Sequence, residues 1–228
     1  MINKIIEHIK KHEILSFIFI TYLCSWSIWW ILYSSYIGII NKSLHNEYVT
    51  LFITLGLFMP STMSIILTGC LYKRKGLKQL LIRLTKWKFN PIYYIIAICY
   101  MPAIFCVAFL ICSFSGNNLK INFYKNPIII LFYAILQLVL GGPLGEEIGW
   151  RVFLLPRLQR KLSPFQASLV IGIVWACWHL PLFFIASTAQ YGTSFKVLLI
   201  ATIGYAIAIT LVFNRTNGSM IAKLEGFW

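Results

Sequence analysis

The sequence predicts an all-α protein: a polytopic transmembrane helical bundle of about six helices with both termini cytoplasmic. Three observations carry this. The 228 residues are 59% hydrophobic and only 11% charged, against about 25% charged in a soluble domain. Six apolar segments approach or exceed the roughly 20 residues needed to cross a bilayer. The basic residues are distributed unevenly between the loops that alternate from one side to the other. The short alternating segments of a transmembrane β-barrel are absent from the sequence.

The segments are read in order as Ile14–Ile40, Tyr48–Tyr72, Pro91–Phe114, Pro127–Gly145 continuing past Arg151, Ser163–Ala186 and Lys196–Phe213. The first is long and lacks a small-residue cleavage site, so it is expected to remain as a span rather than leave as a signal peptide. Its Trp26, Trp29 and Trp30 are expected at a membrane interface or in helix packing. The second is followed by "KRKGLKQLLIRLTKWK", a basic and apolar loop suited to lie on anionic lipid. In the fourth, Gly141-Gly142-Pro143 is expected to break or bend the helix. Ser163-Pro164 reads as an N-cap with proline at the first helical position, opening the fifth. Cys24, Cys70, Cys99, Cys106, Cys112 and Cys177 all fall in apolar segments without metal-ligand spacing and are expected to be small buried residues.

The net charge of +14 raises the question of nucleic acid. If each segment crosses once, sixteen of the twenty Lys and Arg residues fall on the side of the termini and four on the other. That split follows the positive-inside rule, so the charge orients the chain in a cytoplasmic-facing lipid field. No nucleic-acid partner is expected. The chain reads as one multi-pass membrane domain, residues 1–228.

Ionisable residues inside a span are functional candidates, because each is costly in hydrocarbon. Few qualify. There are six acidic residues and no aspartate, yet Glu146 and Glu147 stand side by side in the fourth segment. Arg151 follows in that segment and His179 lies in the fifth, while His8, His12 and His45 fall in polar flanks. Glu147 lies sixteen residues before Ser163 and His179 sixteen after it. Two regular antiparallel helices would bring both to nearly one depth, about 24 Å from the turn.

Glu147 and Arg151 are four apart with the glutamate first, the favourable order for a helical ion pair. Glu146 points about 100° away from Glu147. It is then the carboxylate left free, able to act as a general base for water. His179 would orient that water, donate a proton or join Glu146 at a metal. From the residues alone three readings stand open: a hydrolytic site, transport or proton handling, and a purely structural polar network.

Glu146-Glu147-x-x-x-Arg151 followed by Trp175-x-x-x-His179 resembles the first two motifs of the CPBP family of intramembrane proteases. That family includes type 2 CAAX prenyl proteases and Abi proteins linked to bacteriocin self-immunity. The flanks "GEEIGWRVFLLPRLQ" and "SLVIGIVWACWHLPLFF" are similar to it almost throughout. The resemblance implies a variable N-terminal part, residues 1–126, and a protease-like core, residues 127–219. It implies an intramembrane endopeptidase of the bacterial plasma membrane, in which Glu146 and His179 activate water for attack on a peptide bond. Glu147 and Arg151 are its supporting pair, and Trp175 an aromatic wall where the family usually has phenylalanine. Substrates would be prenylated-protein-like, or peptides of the pheromone or bacteriocin kind. Both a zinc ion on Glu146 and His179 and a metal-free glutamate mechanism are compatible with the resemblance. One histidine and two glutamates are a poor zinc set compared with the usual three protein ligands plus water.

The tail departs from the family. "NRTNGSMI", Asn214–Ile221, resembles the stretch before a last helix that supplies a second histidine and an asparagine or aspartate. Here no histidine follows His179, and Phe227 falls about where that histidine would stand. Three readings are open: a truncated or frame-shifted chain, a non-catalytic immunity or binding protein, or another group replacing the missing oxyanion donor. Transport ranks last, since no inverted repeat or pair of broken helices is visible.

Overall fold

The computed structural model describes residues 2–41, 43–85 and 143–216, with scattered positions between 90 and 114 and Gly218. Most of the expected third segment, the Pro127–Gly142 stretch of the fourth and the tail beyond Gly218 lie outside the described residues. The described chain is helical, without strands. Its helices are α1 (Ile2–Lys11), α2 (Glu13–Tyr36), α3 (Ser43–Leu57), α4 (Met59–Leu84), α5 (Pro143–Glu147), a π-helix (Ile148–Leu154), α6 (Leu155–Leu158), α7 (Pro164–Trp178), a 3-10 helix (Leu180–Phe184) and α8 (Phe195–Arg215).

Among the described residues, three stretches are long and apolar enough to cross a membrane: Glu13–Tyr36, Pro164–Phe184 and Phe195–Arg215. A fourth forms if Glu47–Leu57 and Met59–Leu84, bent by 41° at their junction, are taken as one span. This is a multi-pass membrane protein. Its outward faces are apolar: Phe19 on α2 is 66% exposed and Ile200 on α8 is 72% exposed. Lipid contact makes such exposure favourable.

Polar side chains point inward instead. Ser25 donates to the Gly56 carbonyl at 2.9 Å, joining α2 to α3. Ser61 donates to the Leu144 carbonyl at 2.9 Å, joining α4 to α5. Thr202 donates to the Gly172 carbonyl at 3.0 Å, joining α8 to α7. In lipid there is little hydrophobic drive between helices, so small residues and such bonds hold them together. Two glycines permit close approaches to a neighbouring backbone. A Cβ on Gly149 would meet the Pro60 backbone at 2.6 Å, and one on Gly172 would meet Ile203 Cα at 2.6 Å.

The buried centre is aromatic. Trp29, Trp150, Trp178 and Phe17 are fully buried. Trp178 packs on Trp29 at 5.0 Å and edge-on to Trp150 at 5.6 Å between ring centroids. Trp26 of α2 donates from Nε1 to the Trp178 carbonyl at 2.9 Å. Trp26 and Trp29 therefore serve packing, while Trp30 faces outward.

Some expectations fail. The cysteines were expected to be buried, yet Cys70 and Cys99 are exposed and Cys24 and Cys177 are half-buried. In a bilayer an outward-facing thiol meets lipid, so membrane placement does not imply a core position. Cys106 and Cys112 lie outside the described residues. The basic segment after Tyr72 is not a loop, because α4 continues as helix to Leu84. It is broken at Lys73, whose φ of 53° and ψ of −151° are non-helical. The break falls where the second span was expected to end.

Two stability outcomes follow. Gly149→Ala should lower stability by about 1–3 kcal/mol, the usual effect of overpacking, seen as a reduced unfolding midpoint in detergent. Lys73→Gly should raise stability by about 1 kcal/mol, because only glycine adopts that backbone conformation without strain.

Candidate active site

The fourth segment is not a regular helix. α5 ends at Glu147 and passes directly into the π-helix Ile148–Leu154. Pro156 supplies a physical reason: it lacks the N–H that an α-helix would direct at the Val152 carbonyl, and its ring crowds that carbonyl. A wider turn ahead of it relieves the clash, and the Leu155 N–H bonds to the Trp150 carbonyl instead. π-turns of this kind are frequent at functional sites.

The fifth segment begins as expected. Ser163 Oγ accepts from the Gln166 N–H at 3.3 Å, and Gln166 Oε1 accepts from the Ser163 N–H at 3.0 Å, a complete capping box. α7 ends at Trp178, with His179 as its C-cap. Pro181 cannot continue an α-helix, and the chain tightens into the 3-10 helix Leu180–Phe184.

These elements gather the expected residues. Glu147 and Arg151 are both 0% exposed, and Glu146 and His179 are each 6% exposed. Arg151 Nε stands 3.7 Å from Glu147 Oε2, an ion pair too long for a hydrogen bond.

Glu146 is not the free carboxylate that sequence reasoning expected. Its Oε2 accepts a hydrogen bond from Trp175 Nε1 at 2.5 Å. The same tryptophan reaches His179: its carbonyl lies 2.8 Å from His179 Nδ1. A carbonyl only accepts, so Nδ1 carries the proton and the neutral ring keeps its acceptor at Nε2. The Arg151 guanidinium carbon lies 5.3 Å from the centroid of the Trp175 ring. Trp178 packs edge-on to His179 at 4.7 Å.

Trp175 is thus more than an aromatic wall. It joins Glu146 on one helix to His179 on the next, and its N–H is a contact that phenylalanine cannot make. The signal was present in the sequence, since a buried indole N–H needs an acceptor and the nearest motif is rich in carboxylate. The equal-depth argument also needs correction. It assumed two regular helices, whereas the π-helix shifts one of them and places Glu146 against Trp175, one turn before His179.

Glu146 and His179 are the two donors that a metal would use. Among the described residues no group of three or more His, Cys, Asp or Glu stands together to hold an ion. Glu146 and His179 alone are fewer than the three protein ligands of a catalytic zinc site.

The network has an energetic signature. Arg151→Met should cost about 3–5 kcal/mol by leaving buried carboxylates without their cation. Adding Glu147→Gln should recover part of that loss in a double-mutant cycle of unfolding free energies. Trp175→Phe should cost about 1.5–3 kcal/mol through the lost charge-assisted bond, whereas a ring acting only as a wall would lose far less.

Residues 127–224 match the family described as type II CAAX prenyl endopeptidase Rce1-like. A protein named CAAX prenyl protease 2, from Methanococcus maripaludis, is 31% identical over 112 residues, covering 48% of this chain and 40% of that relative. Lysostaphin resistance protein A of Staphylococcus haemolyticus is 24% identical over 123 residues, covering 53% of this chain and 30% of that relative. The matched stretch therefore spans less than half the length of either relative. The family match over residues 127–224 contains the glutamate pair, Arg151, Trp175 and His179, so this part of the chain is similar to the Rce1-like CAAX prenyl endopeptidases.

Proposed function

We propose that this chain is an intramembrane endopeptidase of the CAAX-protease type. The observation that carries the reading is a buried carboxylate and a buried imidazole held by one tryptophan between two membrane helices. Glu146 takes a proton from water, and the hydroxide oxygen attacks the peptide carbonyl carbon. His179 Nε2 accepts the water's other hydrogen and so orients it. Arg151 offsets negative charge beside Glu146, and Glu147 anchors Arg151. Collapse of the tetrahedral intermediate breaks the C–N bond, and Glu146 returns its proton to the leaving nitrogen. No step is routed through zinc.

The substrate is a prenylated-protein-like chain or a peptide of the pheromone or bacteriocin kind, presented from the bilayer. The relative named CAAX prenyl protease 2 supports the first class. The sixteen-to-four split of basic residues supports cytoplasmic termini, and a bacterial plasma membrane is the proposed setting.

Cleavage of a fluorogenic peptide panel by the purified chain tests the roles. Glu146→Gln and His179→Ala should each lower the rate by about 10²–10⁴, the range for losing a general acid or base. An unchanged rate in either variant overturns the assignment. The likeness to a lysostaphin resistance protein favours a second reading, membrane immunity by binding without cleavage. Protection of cells against a bacteriolytic agent that survives Glu146→Gln would select it. Protection lost in that variant would select the protease.

A further inference from the structure

A second charged site lies outside this centre, where the α1–α2 junction meets the turn between α6 and α7. A cleft of about 340 Å³ opens there, lined by Lys10, Lys11, Arg157, Arg160 and Lys161, with Glu13 as its one carboxylate. Glu13 is already engaged: it accepts from Tyr72 Oη and from Arg157 Nε. Arg157 is further fixed by donating from Nη1 to the Phe153 carbonyl at 2.8 Å and by stacking 3.5 Å from the Phe153 ring. The cleft therefore holds five cations against one carboxylate, with Arg157 anchored and Lys10, Lys11, Arg160 and Lys161 exposed to solvent.

Its position identifies the ligand. The α2 span begins at Glu13 and the α7 span at Pro164, so the cleft is bounded by residues that mark where two membrane helices start. Residues at the start of a spanning helix lie where hydrocarbon gives way to headgroups. α1 leads into the cleft with Ile5 and Ile9 alternating against Lys4, His8 and Lys11, the pattern of a helix lying in the interface plane. Ile9 packs on the protein core, which holds α1 beside the cleft.

The geometry points to a binding site for a phosphate-bearing anion, the headgroup of an anionic phospholipid, between the α1–α2 junction and the α6–α7 turn. Its volume admits a phosphate with a small alcohol, and its uncompensated charge rejects a zwitterionic headgroup in comparison. Juxtamembrane basic residues contribute additively to such recognition.

Native mass spectrometry of the full chain, released from phosphatidylcholine nanodiscs containing phosphatidylglycerol, tests this. The wild-type chain should retain phosphatidylglycerol over phosphatidylcholine by about tenfold or more, from several basic contacts. The variant K10Q/K11Q/R160Q/K161Q should lose that preference. K73Q/R74Q/K75Q/K78Q, which removes the same charge outside the cleft, should keep it. Millimolar inorganic phosphate should leave the bound lipid in place. Equal retention of both lipids by the wild type overturns the site, and that arm does not depend on any variant folding. Equal loss in the two variants overturns it in favour of diffuse attraction. Displacement by inorganic phosphate overturns the lipid assignment in favour of a free anion. Thermal unfolding in phosphatidylcholine alone confirms that the cleft variant folds like the wild type.

Discussion

The constraint on which the structure depends is the burial of Glu146, Glu147 and Arg151 among apolar helices. Each charge alone would be prohibitive in that setting. The chain resolves this locally. The π-helix sets Arg151 beside Glu147, and Trp175 supplies Glu146 with a donor. A buried charge cluster of this kind is a weak source of stability in itself. Its presence is better explained by what it holds in place: a buried carboxylate and a buried imidazole, each bonded to Trp175.

The rest of the bundle acts on that cluster through Trp178 and the close-packed glycines. Trp178 is fixed by Trp29, Trp150 and the Trp26 hydrogen bond, and it packs against His179. Gly149 brings the π-helix against Pro60 of α4, and Gly172 brings α7 against α8. At the far end, Glu13, Tyr72 and Arg157 clasp the start of α2, the end of the membrane part of α4 and α6. The elements that carry Glu146 and His179 are therefore packed closely against α4, α8 and the buried tryptophans.

Much of this was legible in the sequence because the signals were local or compositional. Hydropathy located the α2, α7 and α8 spans within a few residues, and Ser163-Pro164 marked the start of α7. The motif pair named all five residues that meet at the site. What was not legible depends on packing or on backbone geometry. The π-helix follows from accommodating Pro156 inside a buried helix, and ordinary helix periodicity does not report it. The bend between α3 and α4, the helix continuing past Lys73 and the outward cysteines all turn on which face meets lipid. The role of Trp175 was read from its ring alone, whereas its N–H is what joins the two halves.

The central claim is that Trp175 holds His179 with Nδ1 protonated and Nε2 left as the acceptor, beside Glu146. Nitrogen-15 NMR of histidine-labelled protein in lipid reports this directly, with the His179 signal identified by its loss in His179→Gln. The account predicts a neutral His179 ring protonated at Nδ1 and not at Nε2. A neutral ring protonated at Nε2 would contradict it.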